Sequence, residues 1–281
     1  MSNFFLFRTS NPGYIRHASP ELEILSKFHP GLITQQEADA EQQRLIYLLE
    51  NLKTGYPTYE ALAQKLKQCR NEAPCKSLVC PHCRRERMLT LFALWEPMLA
   101  ADEGYAGVTL FFNHDKQTRL PWQNTEVASE YIHRTKQRVS RVLNRLGYSG
   151  PVIGTFSLAR YMFDEQEESI FWVPQLCLLL PNDSGLINGL KDHMSRGGGA
   201  YIDSRIINIP LTRVRVKNSV RMLSCALDSA WYSVESELND EQVLVKSAPV
   251  LLKGKALAKS LLVLDTLGPG VISFTYGKQP K

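Results

Sequence analysis

Pro151-Val-Ile-Gly-Thr-Phe-Ser-Leu-Ala-Arg-Tyr-Met-Phe163, the acidic run Asp164-Glu-Gln-Glu-Glu168, and Ser169-Ile-Phe-Trp-Val-Pro-Gln-Leu-Cys-Leu-Leu-Leu-Pro181 together decide the fold. The two outer segments are rich in branched and aromatic residues, which suit a pleated and half-buried backbone, and the polar residues between them are a turn signal. They predict a β-hairpin. Working outward, Tyr105 to Asn113 reads as a short strand, and Val127 to Leu146 as an amphipathic helix. That helix carries Ile132, Val139, Val142, Leu143 and Leu146 on its apolar side and cations on the other. Gly197, Gly198 and Gly199 predict a flexible loop, Tyr201 to Lys217 a further strand, and Ser219 to Glu235 a return to helical spacing. This order predicts an α+β fold, with a central antiparallel sheet flanked by helices.

Towards the N-terminus, Thr34 to Lys53 predicts a helix that opens on a capping box, Thr34 with Glu37, and repeats Leu45, Leu48, Leu49 and Leu52 at helical spacing. Pro57 marks a turn into a second helix, Thr58 to Cys69. This hairpin is acidic: Ala18 to Glu60 holds three Lys/Arg against seven Asp/Glu. It is expected to cover the core or to meet a partner. Arg85 to Ala101 predicts a third helix, with Met88, Phe92, Trp95 and Leu99 on one stripe. Towards the C-terminus, an apolar stretch from Ala256 to Leu267 runs into the turn residues Gly268, Pro269 and Gly270.

With 281 residues, 44% of them apolar, the chain can bury a sizeable core, which argues against disorder. No apolar run reaches the roughly 18 residues that span a bilayer. Met1 to Gly13 lacks the basic start and the cleavage site of a signal peptide, so a cytoplasmic protein with no membrane partner is expected. The net charge of +5 is unevenly spread. Val127 to Leu146 sets Arg134, Lys136, Arg138, Arg141 and Arg145 against Glu130 alone, and Lys191 to Arg221 holds seven cations against Asp192 and Asp203. Local concentrations of this kind suit a polyanion, because affinity for DNA rests on counterion release by Lys and Arg.

Four cysteines cluster as Cys69-x5-Cys75-x4-Cys80-x2-Cys83, with Pro81 and His82 inside the last knuckle. In a reducing compartment this spacing indicates metal rather than disulfides. The knuckle supplies two thiolates from one tight turn, and Cys75 with either Cys69 or His82 completes a tetrahedral shell. His82 is the weaker ligand, since a residue inside a knuckle usually points outward. A shell filled by protein would make the ion, expected to be zinc, structural rather than catalytic.

Cys75-Lys-Ser-Leu-Val-Cys-Pro-His-Cys-Arg-Arg-Glu-Arg87 resembles the cysteine-rich segment ahead of the nuclease core in plasmid rolling-circle replication initiators, the HUH endonuclease-like Rep family. Gly107-Val-Thr-Leu-Phe-Phe112 is similar to that family's first nuclease strand, and the basic helix and the hairpin follow in the family's order. The resemblance spans roughly Cys69 to Glu235. It implies an N-terminal helical extension over 1–68, a cysteine-rich zinc segment and helix over 69–100, an HUH-like α+β core over 101–235 and a C-terminal extension over 236–281.

Those enzymes nick one DNA strand through a tyrosine, assisted by a metal ion on two histidines spaced one residue apart on a strand. Residues at that spacing share a face. Here Gln175 and Cys177 stand at the pair, and Val173 at the flanking histidine, so the resemblance implies a degenerate metal site. An amide and a thiol are poor ligands for magnesium or manganese. Near the expected tyrosine the chain has Cys225, with Tyr232 two helical turns further on as the one substitute nucleophile.

The expectation is therefore a DNA-binding protein without catalytic activity, with Arg134, Arg138, Arg141, Arg145, Lys217 and Arg221 on phosphates. It would act in replication, regulation or maintenance of a mobile element. One alternative is an active nicking initiator or relaxase using Tyr232, with a metal site rebuilt from His114, Asp115 or Glu165. Another is a protein interaction module in which the acidic helices dock a replication or mobilisation protein.

Overall fold

The structure is a computed structural model that describes residues 33–52, 57–101, 104–112, 124–162, 170–196, 210–214, 223, 226–238, 244–246 and 248–278. The chain divides into two compact units, with the boundary between Tyr105 and Ala106 at the start of the first strand. Among the described residues no helix is long and apolar enough to cross a membrane.

The first unit contains α1 (Gln35–Asn51), α2 (Pro57–Lys67) and α3 (Pro81–Ala101). The capping box at the start of α1 forms as expected: the Glu37 amide donates to the Thr34 hydroxyl at 3.2 Å, and the Thr34 amide donates to the Glu37 carboxylate at 2.7 Å. Ala38, Leu45 and Leu49 of α1, Leu62, Ala63 and Leu66 of α2, and Leu89, Phe92 and Trp95 of α3 are buried. The Gln42 side chain is buried too, and donates at 2.6 Å to the Leu66 carbonyl, one of the orphan acceptors at the end of α2. α3 begins one turn earlier than its apolar stripe announces, so Cys83 lies inside it.

The second unit is a mixed sheet with strands β1 (Tyr105–Phe111), β2 (Val152–Met162), β3 (Ile170–Pro181), β4 (Leu211–Val214), β5 (Tyr232–Leu238), β6 (Leu244–Lys246), β7 (Val250–Leu251) and β8 (Ser273–Tyr276). Their order is β4-β1-β3-β2-β5-β6, with β7 on β5 and β8 on β2. Its helices are α4 (Thr125–Arg145), α5 (Ser184–Arg196) and α6 (Gly254–Ile272). The hairpin is the spine of the sheet, with β2 and β3 antiparallel from Ile153↔Leu179 to Met162↔Ile170. Its turn lies outside the described residues, as does the glycine loop at 197–199.

Two expectations are corrected here. The sheet is not antiparallel throughout, because β5 reaches β2 by a crossover and runs parallel to it, Ala159↔Tyr232 to Met162↔Glu235. Nor does the helix foreseen over Ser219 to Glu235 continue that far. The Asp228 carboxylate accepts the Ala230 amide at 2.9 Å, a local turn that competes with helix, and Tyr232 opens a strand. Residues 236–281, expected as an extension, supply the rest of this sheet: β8 pairs with β2 from Val152↔Tyr276 to Thr155↔Ser273.

Phe156 on β2 meets the Tyr131 ring of α4 edge-on, with centroids 6.3 Å apart, which sets the helix side of the sheet. Gly154 shares that strand, and a β-carbon there would lie 2.1 Å from the Cys177 carbonyl oxygen and 2.8 Å from Leu178 Cδ2. The first clash is with backbone, which cannot swing aside. Gly154→Val is expected to destabilise the protein by about 3 kcal/mol, the upper range for overpacking, and denaturant unfolding showing a loss below about 1 kcal/mol would contradict this close approach.

Candidate functional site

The four clustered cysteines are brought together by the turn between α2 and α3. Cys69 follows the end of α2, Cys80 precedes Pro81 at the first position of α3, and Cys83 sits in its first turn. Proline suits that position, since its missing N–H is one of the orphans there. The Arg84 amide donates to the Cys80 carbonyl at 2.9 Å, the first bond of the helix. Lys76 takes a left-handed backbone, φ 55°, which costs a non-glycine residue about 1 kcal/mol or more. Beside it, the Ser77 backbone hydrogen-bonds the Cys75 sulfur.

The sulfur atoms lie 3.6 Å apart for Cys69 and Cys83, 3.6 Å for Cys80 and Cys69, and 3.7 Å for Cys75 and Cys83. All four fall within 4.8 Å of one another, and Cys69, Cys80 and Cys83 are buried. The Cys75 amide adds a bond to the Cys69 sulfur at 3.4 Å. Neighbouring thiols dominate the acidity of each. Cys80 is pushed up by Cys69, Cys75 and Cys83, and Cys83 by Cys69 and then Cys75. Cys75 comes down to about 7: Cys69 raises it, but the bonds from Cys80, Cys83 and the Ser77 backbone outweigh that. These four residues could hold a metal ion.

His82 is not among the ligands. Its Nδ1 lies 3.3 Å from Gln35 Nε2, and its Nε2 lies 3.2 Å from Asp39 Oδ1, so the ring faces α1. Arg84 meets Glu41 at 2.8 Å, and Arg85, buried, donates to the Ile33 carbonyl at 2.7 Å and to Gln35 Oε1 at 2.9 Å. The acidic helix therefore finds cationic and polar partners within its own unit. Glu50 of α1 pairs likewise with Lys67 of α2, at 2.5 Å.

In the second unit, α4 starts on Asn124, whose side chain accepts the Glu126 and Val127 amides at 2.9 and 3.3 Å. Of its expected apolar side, Ile132, Val139, Val142 and Leu143 are buried, whereas Leu146 is exposed. Arg134, Arg141 and Arg145 are exposed and Arg138 half-buried. Arg134 pairs with Glu130 one turn back. His193 on α5 is held below the ordinary imidazole value by partial burial and then by the Arg138 and Arg145 charges, which places it beside both. Lys136 is instead structural: it donates to the Val271 and Gly270 carbonyls at 2.8 and 3.3 Å, at the end of α6. Lys217, Arg221, Cys225, His114, Asp115 and Glu165 lie outside the described residues.

Gln175 and Cys177 are both half-buried and alternate with buried Leu176 and Leu178 on the central strand. Their partners on β2 are Ser157 and Thr155, and Cys177 Sγ lies 3.8 Å from Thr109 Oγ1 on β1. They occupy the face turned away from Phe156 and α4. Thr109, Thr155 and Ser157 thus set hydroxyls beside them. Tyr232, on β5 rather than on a helix, donates its hydroxyl to the Asp228 carboxylate.

Comparison with protein families, with curated proteins and with solved structures finds no match to this chain.

The sulfur geometry makes a sharp distinction between Cys80 and His82. Elemental analysis of purified protein is expected to give one metal ion per chain, and Cys80→Ser to lower this below about half an ion and unfold the helices of the first unit. His82→Ala is expected to keep the metal and to cost about 1 kcal/mol through its lost hydrogen bonds. Loss of metal in His82→Ala would make His82 a ligand and overturn this assignment.

Proposed function

We propose that this chain is a cytoplasmic DNA-binding protein braced by a structural zinc ion, related to the rolling-circle replication initiators but without their strand-cutting chemistry. It acts in the replication, regulation or maintenance of a mobile element. The observation that carries this reading is α4, which between His133 and Arg145 contains five cations and no carboxylate. Three of those arginines are exposed and a fourth is half-buried. Such a ridge concentrates positive charge, and Arg is well suited to phosphate oxygens.

Zinc is supported by the donor set. Four sulfurs at about 2.3 Å from a central zinc stand about 3.8 Å apart, and the observed spacings of 3.6 and 3.7 Å approach that edge. With four protein thiolates the shell is closed to substrate, so the ion supplies folding energy to the turn joining α2 and α3. The reading without cutting is supported by Gln175 and Cys177 themselves, since an amide and a thiol stand where the resemblance implies two imidazoles, and they are poor ligands for magnesium or manganese.

A second reading, an active nicking initiator or relaxase, draws on Tyr232, because Asp228 accepts its hydroxyl proton and gives the phenol a base. Both readings meet one pair of measurements. Wild-type protein is expected to retain a DNA fragment in a strongly salt-dependent way, and Arg138→Ala with Arg141→Ala to weaken retention by about tenfold or more and flatten the salt slope by about two. Supercoiled plasmid incubated with the protein and manganese is expected to remain supercoiled. Covalent protein on nicked DNA, lost in Tyr232→Phe, would establish the second reading in place of the first.

A further inference from the structure

The arginine ridge of α4 is not its only polar surface. Beside it runs a groove between α4 and β8, lined by His133, Lys136, Gln137, Ser140, Arg141 and Asn144 from the helix and by Phe274 and Thr275 from the strand. The helical residues fall at intervals of three and four, so they form one continuous stripe, and Arg141 belongs to both this stripe and the ridge. None of the described residues that line the groove carries a carboxylate.

Its hydrogen-bonding groups are polarised in one direction. Gln137 is held at both ends: Nε2 lies 2.8 Å from His133 Nε2, and Oε1 accepts from Arg141 at 3.5 Å. With Nε2 of neutral His133 accepting from that amide, the proton of the ring sits on Nδ1, which is a donor. The Asn144 side chain is tied to the Tyr276 hydroxyl at 2.5 Å, and that hydroxyl also lies 2.6 Å from the Tyr148 carbonyl. Lys136 gives two of its three N–H groups to the Val271 and Gly270 carbonyls and keeps the third. The Gln137 carboxamide oxygen is thus engaged within the stripe, while the Lys136 ammonium and the Arg141 guanidinium retain N–H groups. Ser140 is the exception, since its proton goes to the Lys136 carbonyl at 3.0 Å.

We infer that this groove is a phosphate-binding track that seats the sugar–phosphate backbone of the nucleic acid engaged by the α4 ridge. The inference rests on the DNA-binding reading and extends it by naming a second row of contacts. A surface of donors with two cations selects an anion, and a stripe more than two helical turns long suits a polymer of phosphates better than a single one. Phe274, the aromatic residue in the lining, is almost wholly buried, so the track grips backbone and offers no face for stacking a base.

The test changes charge at the centre of the stripe, beside the shared Arg141, and replaces no arginine of the ridge. Gln137→Glu places a carboxylate between His133 and Arg141, and Gln137→Lys a cation, and thermal melts check that both variants fold like wild type. With labelled oligothymidylate and with a mixed-sequence duplex as probes, Gln137→Glu is expected to weaken binding about tenfold and to reduce the salt slope by about one. Gln137→Lys is expected to tighten binding. Equal affinities of wild type and both variants, with binding still lost in Arg134→Ala with Arg145→Ala, would overturn the track and leave the DNA-binding reading standing. Failure of wild type to bind either probe overturns both. Saturable binding of inorganic phosphate alone, unaffected by either oligonucleotide, would assign the groove to a small phosphate ligand and overturn the backbone track.

Discussion

Four sulfur atoms packed within 4.8 Å are the constraint on which the first unit depends. Thiolates this close repel one another, and neutral thiols offer only weak hydrogen bonds in return for burial, so without a cation the arrangement has little to hold it. With a cation, the same crowding becomes the strongest link between α2 and α3. The turn is shaped to that end. Lys76 accepts an unfavourable left-handed backbone, and Pro81 starts α3 so that Cys80 and Cys83 lie at its positive end, where thiolates are favoured. The outer side of the same turn then fastens α1, because His82, Arg84 and Arg85 all face it. A metal ion held by these four residues would add folding energy to that packing.

The second unit depends on β2, which is used along its whole length. Its C-terminal half pairs with β5 and its N-terminal half with β8, while β3 runs along the other edge. A strand so fully engaged tolerates few side chains of the wrong size, and Gly154 stands where the neighbouring backbone comes closest. α6 turns sharply before β8 through Gly268, φ 66°, and Lys136 caps the Gly270 and Val271 carbonyls at the end of the helix. One cation of the basic helix is therefore committed to the fold, and the rest remain on its surface.

Much of this was legible in the residues. The capping box, the hairpin, the basic helix and the cysteine tetrad each rest on a local signal that tertiary context had no reason to override. The failures have equally local causes. Leu223, Ala226 and Leu227 are spaced as in a helix, and continuing that period to Glu235 ignored Asp228-Ser229, a turn signal, and the alternation of Tyr232 and Val234 with polar neighbours. α5 went unread because Gly185 and Gly189 lower its helix propensity. Yet Asp183 caps it, accepting the Gly185 and Leu186 amides, and Leu186, Ile187, Leu190 and Met194 form its buried stripe. β8 was beyond reach, since a four-residue strand paired with a segment more than a hundred residues earlier leaves no periodicity of its own. Among the site residues, the groove side of α4 leaves no charge signal in the sequence, because Gln137, Ser140 and Asn144 are uncharged side chains.

The two faces of the sheet separate binding from chemistry in a physical sense. The ridge and the groove belong to α4, on the side marked by Phe156, whereas Gln175 and Cys177 point to the opposite side with Thr109, Thr155 and Ser157. Electrostatic attraction of a polyanion by exposed arginines needs only their charge and their spacing. Phosphodiester cleavage needs a metal ion, a nucleophile and a phosphate aligned within a few tenths of an ångström. The described cations of α4 and the pair Gln175 and Cys177 lie on different sides of the sheet. Attraction of an anion by α4 therefore requires nothing from the face that carries Gln175 and Cys177.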